Sequence, residues 1–396
     1  MQVTNRIDMV DALRGYALLG LFMVHCVERF ELYWLDPQPD AWFDGTMTVF
    51  AGKAFAIFAL LFGFSFATIM GNERRRGGDF TWRFAWRLLL LFAIGTLHAL
   101  VYRGDILQVL AAVGLIMIPF DRLRSDKAAL TIALLLFLQL PLLARAWAAA
   151  EGAAWATAPA VFFGDSGLIT QATGSLAEAI ASNAGPGMRA KWSFYLETGR
   201  VVEIAGLFLV GMVLQRRALF AEAASRRGLW LAVAAASGVL WLLVSQVEPL
   251  ILPAAPEAGG APMQRQSIEW FTGEWRALSA MAFQVALFVL AWHSPLGRLL
   301  AVLVPAGKMT LTLYVGQSLI AAPLLYGYGL GLYDDISTPA IIVCGIVAFA
   351  LQLALAAWWF RAFRYGPLEW LWRAATRTTL DVPFRRLGTP LPRGEG

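Results

Sequence analysis

Residues 86–120 read WRLLLLFAIGTLHALVYRGDILQVLAAVGLIMIPF: two apolar segments, 88–102 and 106–120, joined only by Arg103-Gly104-Asp105. As membrane helices they make a tight hairpin at one face of a bilayer, with Gly104 supplying the backbone freedom of the turn. His98 stands one turn before that connection and Asp105 just after it. An imidazole, a guanidinium and a carboxylate then converge where apolar surroundings strengthen any interaction among them. Ionisable groups at such depth are costly and are functional candidates by default. A carboxylate beside the imidazole would set its tautomer and raise its basicity, leaving the other nitrogen to take or give a proton. The competing reading is a histidine bonded to a neighbouring helix.

The rest of the chain fits a membrane setting. Its 396 residues are 59% hydrophobic and 15% charged, with a mean hydropathy of +0.61; soluble globular chains are nearer a quarter charged. Sixteen tryptophans suit an interfacial aromatic belt. The net charge of +5 does not mark a nucleic-acid binder, because the basic residues fall in short clusters between apolar runs. Cys26 and Cys344 are too isolated for a disulfide framework or a zinc spacing. No metal-ligand spacing, nucleophile elbow, dinucleotide fingerprint or nucleic-acid module appears. Arg14 inside the first apolar run argues against a cleaved signal peptide, so the first helix is expected to stay.

At about 20 apolar residues per span, candidate spans cover residues 10–27, 49–70, 87–102, 106–120, 128–149, 201–214, 228–247, 278–292, 309–326 and 340–360. The expected fold is all-α: a polytopic bundle of about ten transmembrane helices over residues 1–363, then a cytoplasmic amphipathic helix and tail over 364–396. Connection 28–45 is acidic, whereas Arg74, Arg75 and Arg76, then Arg122, Arg124 and Lys127, then Arg216 and Arg217 make every second connection basic. That alternation puts both termini in the cytoplasm of a bacterial cell. His25, His98 and Asp105 then lie towards the outer face of its inner membrane. The long connections 150–199 and 248–276 fall outside, as interfacial loops or as a lid over an outward-facing cavity.

Other polar residues punctuate the spans. Asp8, Asp11 and Arg14 share one helix face, with Asp11 and Arg14 at ion-pairing spacing. Arg14 either holds a phosphate or carboxylate or anchors its helix to a neighbour. His25, bordering the acidic loop, is a general base, a solvated side chain or a hydrogen-bond partner. Lys53, in GKAFAIFALLFGFSF, either snorkels to the interface or binds an anion, and Gly63, Ser65 and Ala67 in that run suit close helix packing. Glu203 is a lone carboxylate in an apolar run, open between a second site carboxylate, a proton carrier and the partner of an arginine. Residues 307–318, GKMTLTLYVGQS, set Lys308, Tyr314 and Gln317 where they can line a polar cavity. Residues 364–373, RYGPLEWLWR, form an amphipathic helix begun by Pro367 at the membrane surface. Its arginines satisfy the positive-inside rule or attract a polyanion such as coenzyme A.

Six blocks resemble the YeiB-like family of bacterial membrane proteins: RIDMVDALRGYALLG, GKAFAIFALLFGFSF, WRLLLLFAIGTLHALVYRGDILQVLAAVGL, AGKMTLTLYVGQS, YGYGLGLY and FRYGPLEWLWR. They run in order along nearly the whole chain; residues 149–199 carry none. His25 stands where asparagine is expected in that family. The family is similar in turn to the transmembrane acyltransferases, including the heparan-α-glucosaminide acetyltransferases, through the DALRG opening of the first helix. That resemblance implies a membrane-embedded histidine passing an acyl group from cytoplasmic acyl-CoA to an acceptor.

Two functions lead at this level, ahead of a third reading as a non-catalytic membrane partner. In an acyltransferase, His98 and Asp105 act on an acceptor hydroxyl or amine. Arg14, Lys53, Arg103, Lys308, Tyr314 and Gln317 hold the substrates, with Asp11, His25 and Glu203 as further candidates. Acyl-CoA is then a co-substrate, with no covalently bound cofactor and no metal. In a transporter of a small anionic or amphiphilic solute, His98 and Asp105 relay protons instead. The expected partners are the bilayer and a small-molecule, glycan or lipid acceptor, with no nucleic acid; self-association is left open.

Overall fold

The computed structural model describes residues 7–254 and 262–385; most of the expected tail, 386–396, lies outside the described residues. The described chain is helical throughout, and its one β-type contact is the isolated bridge between Phe363 and Arg385. The first half comprises α1 (Asp8–Val27), α2 (Ala41–Phe50), α3 (Lys53–Arg75), α4 (Thr81–Ala99), α5 (Leu107–Met117), α6 (Asp126–Phe137) and α7 (Leu140–Ala150). The second half comprises α8 (Met188–Glu197), α9 (Arg200–Arg216), α10 (Arg227–Ile251), α11 (Met263–Trp292), α12 (Thr310–Leu325), α13 (Thr338–Ala362) and α14 (Pro367–Arg377).

Burial separates inner from outer helices. The apolar window that includes α1 is 72% buried, against 11% for α10 and 22% for α13. On α1, Ala12, Leu13, Ala17 and Leu18 are fully enclosed, whereas α10 and α13 turn Leu242, Leu250, Val343 and Leu351 outward. Such continuous outward apolar faces suit lipid, and the chain is a membrane protein.

Among the described residues, six helices or helix pairs are long and apolar enough to cross a membrane, and a seventh is added if residues 297–308 and α12 count as one span bent by 77°. This is fewer than the ten expected. α5 has 11 residues and α9 has 17, while α4 carries Arg83 and Arg87. Of the expected long connection 248–276, residues 255–261 lie outside the described residues, and most of the remainder is helical. Glu248 belongs to the last turn of α10, and α11 already begins at Met263. Between α7 and α8 the chain forms short helices, Leu168–Thr173 and Leu176–Ser182 among them.

Lipid supplies no hydrophobic drive between helices, so their association depends on close packing. α3 and α9 meet backbone to backbone. A Cβ on Gly63 would overlap the Phe208 carbonyl oxygen, and one on Gly211 would overlap that of Leu60. Gly63 is therefore required for its lack of a side chain. Gly63→Ala should lower stability by about 2 kcal/mol or more, because neither backbone can yield cheaply. Gly71→Ala, where a Cβ meets nothing within 4 Å, should be neutral or slightly stabilising. Thermal unfolding in detergent distinguishes the two.

Candidate functional site

The α4–α5 connection is longer than the sequence suggests. α4 stops at Ala99 and α5 starts at Leu107, leaving residues 100–106 between them. The His98 carbonyl accepts from Val101 N at 3.0 Å and Tyr102 N at 2.9 Å, which folds the chain back over the helix end. That return brings Asp105 Oδ1 to 2.7 Å from His98 Nδ1. The second carboxylate oxygen, Oδ2, accepts from Gln108 N at 2.9 Å, a capping contact for the first turn of α5. Asp105 is fully buried and His98 nearly so.

Two glycines make room for this arrangement. A Cβ on Gly95 would lie 2.5 Å from Gln108 N and 2.8 Å from Asp105 Oδ2. Gly104 is not among the glycines with positive φ, so the turn does not draw on its conformational freedom. A Cβ there would instead overlap Glu31 Oε1 and Tyr102 Oη.

Aromatic rings enclose the imidazole. Tyr314 lies 5.3 Å and Tyr102 6.1 Å from His98, centroid to centroid, and Tyr314 Oη accepts from Ile106 N at 3.2 Å. His25 is part of the same box, 5.1 Å from Tyr102 and 5.4 Å from Phe30, and is buried rather than solvated at the acidic loop. With Nδ1 engaged by Asp105, His98 Nε2 is buried and meets no hydrogen-bonding protein group.

Behind the dyad, Gln108 is a hub. Its Nε2 donates to Thr96 Oγ1 at 2.8 Å, and its Oε1 accepts from the Lys191 ammonium and from Trp192 Nε1 at 3.1 Å. Burial pulls Lys191 down to about 8, opposed by the Asp105 and Glu31 carboxylates. Segment 150–199 is tied to the connection at further points. Arg103 donates to Ser166 O at 2.8 Å, and Asn183 Nδ2 donates to Leu100 O at 2.9 Å. Arg103 also pairs with Glu31. Arg29, Phe30 and Glu31 hold φ of 49°, 49° and 87°, a strained path for non-glycine residues. The Arg103 ion pair and a 3.2 Å bond from Tyr326 Oη to Phe30 O hold it in place.

On the other side of Tyr314 lies a cavity of about 1320 Å³. Arg75, Arg87, Arg216, Lys308 and Arg373 line it at the basic end of the bundle, while Leu21, Phe58, Phe62, Ile106 and Tyr314 line it deeper in. Between them, Arg14 pairs with Asp11 at 2.7 Å and donates to Ser65 Oγ at 2.7 Å. Arg87 and His98 sit on one helix, eleven residues or about 16 Å apart at 1.5 Å per residue.

The cavity mouth is built by the bend before α12. The bend leaves the first amides of α12 without partners of their own helix. Glu369 of α14 accepts from Leu311 N at 2.7 Å and Thr312 N at 3.1 Å, and from Thr312 Oγ1 at 2.6 Å. Trp372 Nε1 donates to Arg87 O at 2.8 Å while the Arg87 guanidinium lies 3.5 Å over the Trp372 ring. Lys308 pairs with Asp8 at 2.8 Å.

Of the residues singled out from the sequence, His98, Asp105 and Tyr314 meet directly, and Asp11, Arg14, Lys308 and Tyr314 line the cavity. Lys53 and Gln317 do not line it. Lys53 Nζ is 3.5 Å from Met47 O, and Gln317 Nε2 donates to Gln352 Oε1 at 2.9 Å. Glu203 is buried on α9 near Arg200 and Glu274, whose own separation is 3.9 Å. Gln108, Lys191 and Glu369 did not stand out in the sequence. A glutamine in the otherwise apolar ILQVLAAVGL was the one available signal. No group of three or more metal-ligating side chains occurs among the described residues. Gly95→Ala should displace Gln108 and the Asp105 carboxylate, lowering thermal stability and moving the His98 ring resonances in a histidine-labelled sample.

Comparison with known proteins divides along this site. Residues 6–163, holding Arg14, His98 and Asp105, match the family described as heparan-alpha-glucosaminide N-acetyltransferase, catalytic. Residues 214–379, holding Lys308, Tyr314 and Glu369, match the family described as protein of unknown function DUF418. Over nearly its full length the chain is 26% identical to the uncharacterized protein YxaH of Bacillus subtilis (strain 168), with 94% of this chain and 95% of that one covered. It is 27% identical to the uncharacterized protein YeiB of Escherichia coli (strain K12), covering 93% and 95%. It is 24% identical to an uncharacterized 39.9 kDa protein in the amylase 3′ region of Bacillus acidopullulyticus, covering 94% of each.

Proposed function

We propose that this chain, a YeiB-like membrane protein related to the heparan-alpha-glucosaminide N-acetyltransferases, moves an acyl group from acyl-CoA to a hydroxyl or amine of an acceptor. The observation that carries the reading is the cavity: basic at one end, apolar further in, and closed by Tyr314 against the His98–Asp105 pair. The match of residues 6–163 to an acetyltransferase family supports acyl transfer as the chemistry.

In this reading the arginine-rich end faces the cytoplasm and the acidic segment after α1 faces outward, in a bacterial inner membrane. The chain then passes ten times, with α4, α5 and α9 counted among the passes. Arg75, Arg87, Arg216, Lys308 and Arg373 hold the nucleotide phosphates as charge-assisted donors. The acyl-bearing arm runs past Arg14 and Ser65, and the thioester comes to rest beneath Tyr314.

His98 acts as the base. Its Nδ1–H donates to Asp105, which fixes the tautomer and leaves Nε2 as the acceptor. Once the Tyr314 ring, which separates His98 from the cavity, turns aside, Nε2 takes the proton of the acceptor O–H or N–H as that oxygen or nitrogen attacks the thioester carbonyl. Collapse of the tetrahedral adduct breaks the carbon–sulfur bond. The proton then passes from His98 to the departing thiolate, leaving an ester or amide, free CoA thiol and the starting imidazole.

Acetyl-CoA or a longer acyl-CoA at 100 times its dissociation constant should stabilise the detergent-purified protein by about 2.7 kcal/mol. Lys308→Ala should weaken that stabilisation. His98→Ala should retain binding and lose transfer. Folded protein that no acyl-CoA stabilises would overturn the reading and direct attention to anion transport.

A further inference from the structure

We propose that Lys191, acting through Gln108, is a positioning residue for the His98–Asp105 pair, so that α8 aligns the dyad from the side opposite the cavity. The kinetic consequence rests on the acyltransferase reading; the geometric one does not.

Both Asp105 oxygens are committed, Oδ1 to His98 and Oδ2 to Gln108 N. The carboxylate cannot turn without breaking one of these bonds, so its direction follows the position of the Gln108 backbone. That position is set by the Gln108 side chain, which is buried and held at both ends. Thr96, on the same helix as His98, accepts from Nε2, and its own hydroxyl is oriented by donation to Phe92 O at 2.8 Å. Thr96, Gln108, Asp105 and His98 therefore form a closed ring joining α4 to α5. Lys191 and Trp192 enter that ring from α8 and fix the amide with its oxygen towards them.

A spacer at position 191 would be expected to be apolar, because burying an ammonium costs free energy that an amide oxygen alone does not return. Lys191 is only 6% exposed. Its hydrogen bond goes to Gln108, and the carboxylates facing its charge are Asp105 and Glu31. The buried cation thus compensates the negative charge of the dyad while it polarises the amide that holds Asp105.

The chain contains three histidines, so ring-labelled histidine gives a resolvable NMR spectrum of the detergent-solubilised protein. In the wild type, the His98 Nδ1 proton bonded to Asp105 should appear at low field. Lys191→Met should shift or broaden that resonance. It should also lower kcat for acyl transfer by about 10-fold or more, the order found when the partner behind a metal-ligating histidine is removed, with KM for acyl-CoA little changed. Lys191→Arg should restore both signals. Gln108→Ala should act in the same direction as Lys191→Met, and the double variant should be no worse than Gln108→Ala alone, since one side chain acts through the other.

Lys191→Met with an unaltered His98 resonance and unaltered kcat would overturn the proposal, as would strictly additive effects in the double variant. If Lys191→Met does not fold, Gln108→Ala and Lys191→Arg carry the comparison. A low-field signal that responds as expected in protein with no acyl-transfer activity would sink the acyltransferase reading and leave the positioning role standing.

Discussion

A carboxylate with no exposure to solvent must have each of its oxygens matched, and Asp105 sets the terms for everything around it. An ionised group removed from water loses several kcal/mol of solvation that only well-placed donors return. His98 satisfies one oxygen and the Gln108 amide the other. To bring both donors into place, α4 has to end before Tyr102, the chain has to fold back over the His98 carbonyl, and position 95 has to lack a side chain. The imidazole orientation, and with it the direction of Nε2, is a consequence of that one buried charge.

The same economy of polar contacts shapes the rest of the bundle. Apolar surface facing lipid contributes little to helix association, so the specific joints are close backbone contacts and buried hydrogen bonds. α3 and α9 use Gly63 and Gly211 for the first kind of joint. α12 and α14 use Glu369 for the second, and there the joint also shapes the cavity. The bend that exposes the amides of Leu311 and Thr312 to Glu369 also sets Lys308 on the cavity wall, with Arg87 locked beneath Trp372. A straight helix through residues 297–325 would need neither Glu369 nor the surface helix that carries it.

The two sides of the dyad differ in kind. Towards the basic end, Tyr314 separates His98 from a large cavity lined by cations and then by apolar side chains. Towards the acidic end, segment 150–199 and the strained residues 29–31 are fastened to the connection by Arg103, Asn183 and Lys191. One side offers volume, and the other ties the histidine and its carboxylate to the segments around them.

The sequence by itself determined the helical membrane class, the approximate place of the long helices, the pairing of Asp11 with Arg14, and His98 with Asp105 as the leading pair. These follow from hydropathy, from helical spacing and from the cost of ionisable groups in apolar runs, all local properties of the chain. Only the tertiary structure decided that Lys53 and Gln317 lie off the cavity, that α5 is short, and that the described residues of 248–276 are mostly helix. It also decided the partnership of Gln108 with Lys191, 83 residues apart, and of Glu369 with Thr312, 57 apart. In lipid-facing helices polar residues have few partners to choose from, yet which helix faces which is settled by close packing between distant segments. That packing has no signature in local periodicity.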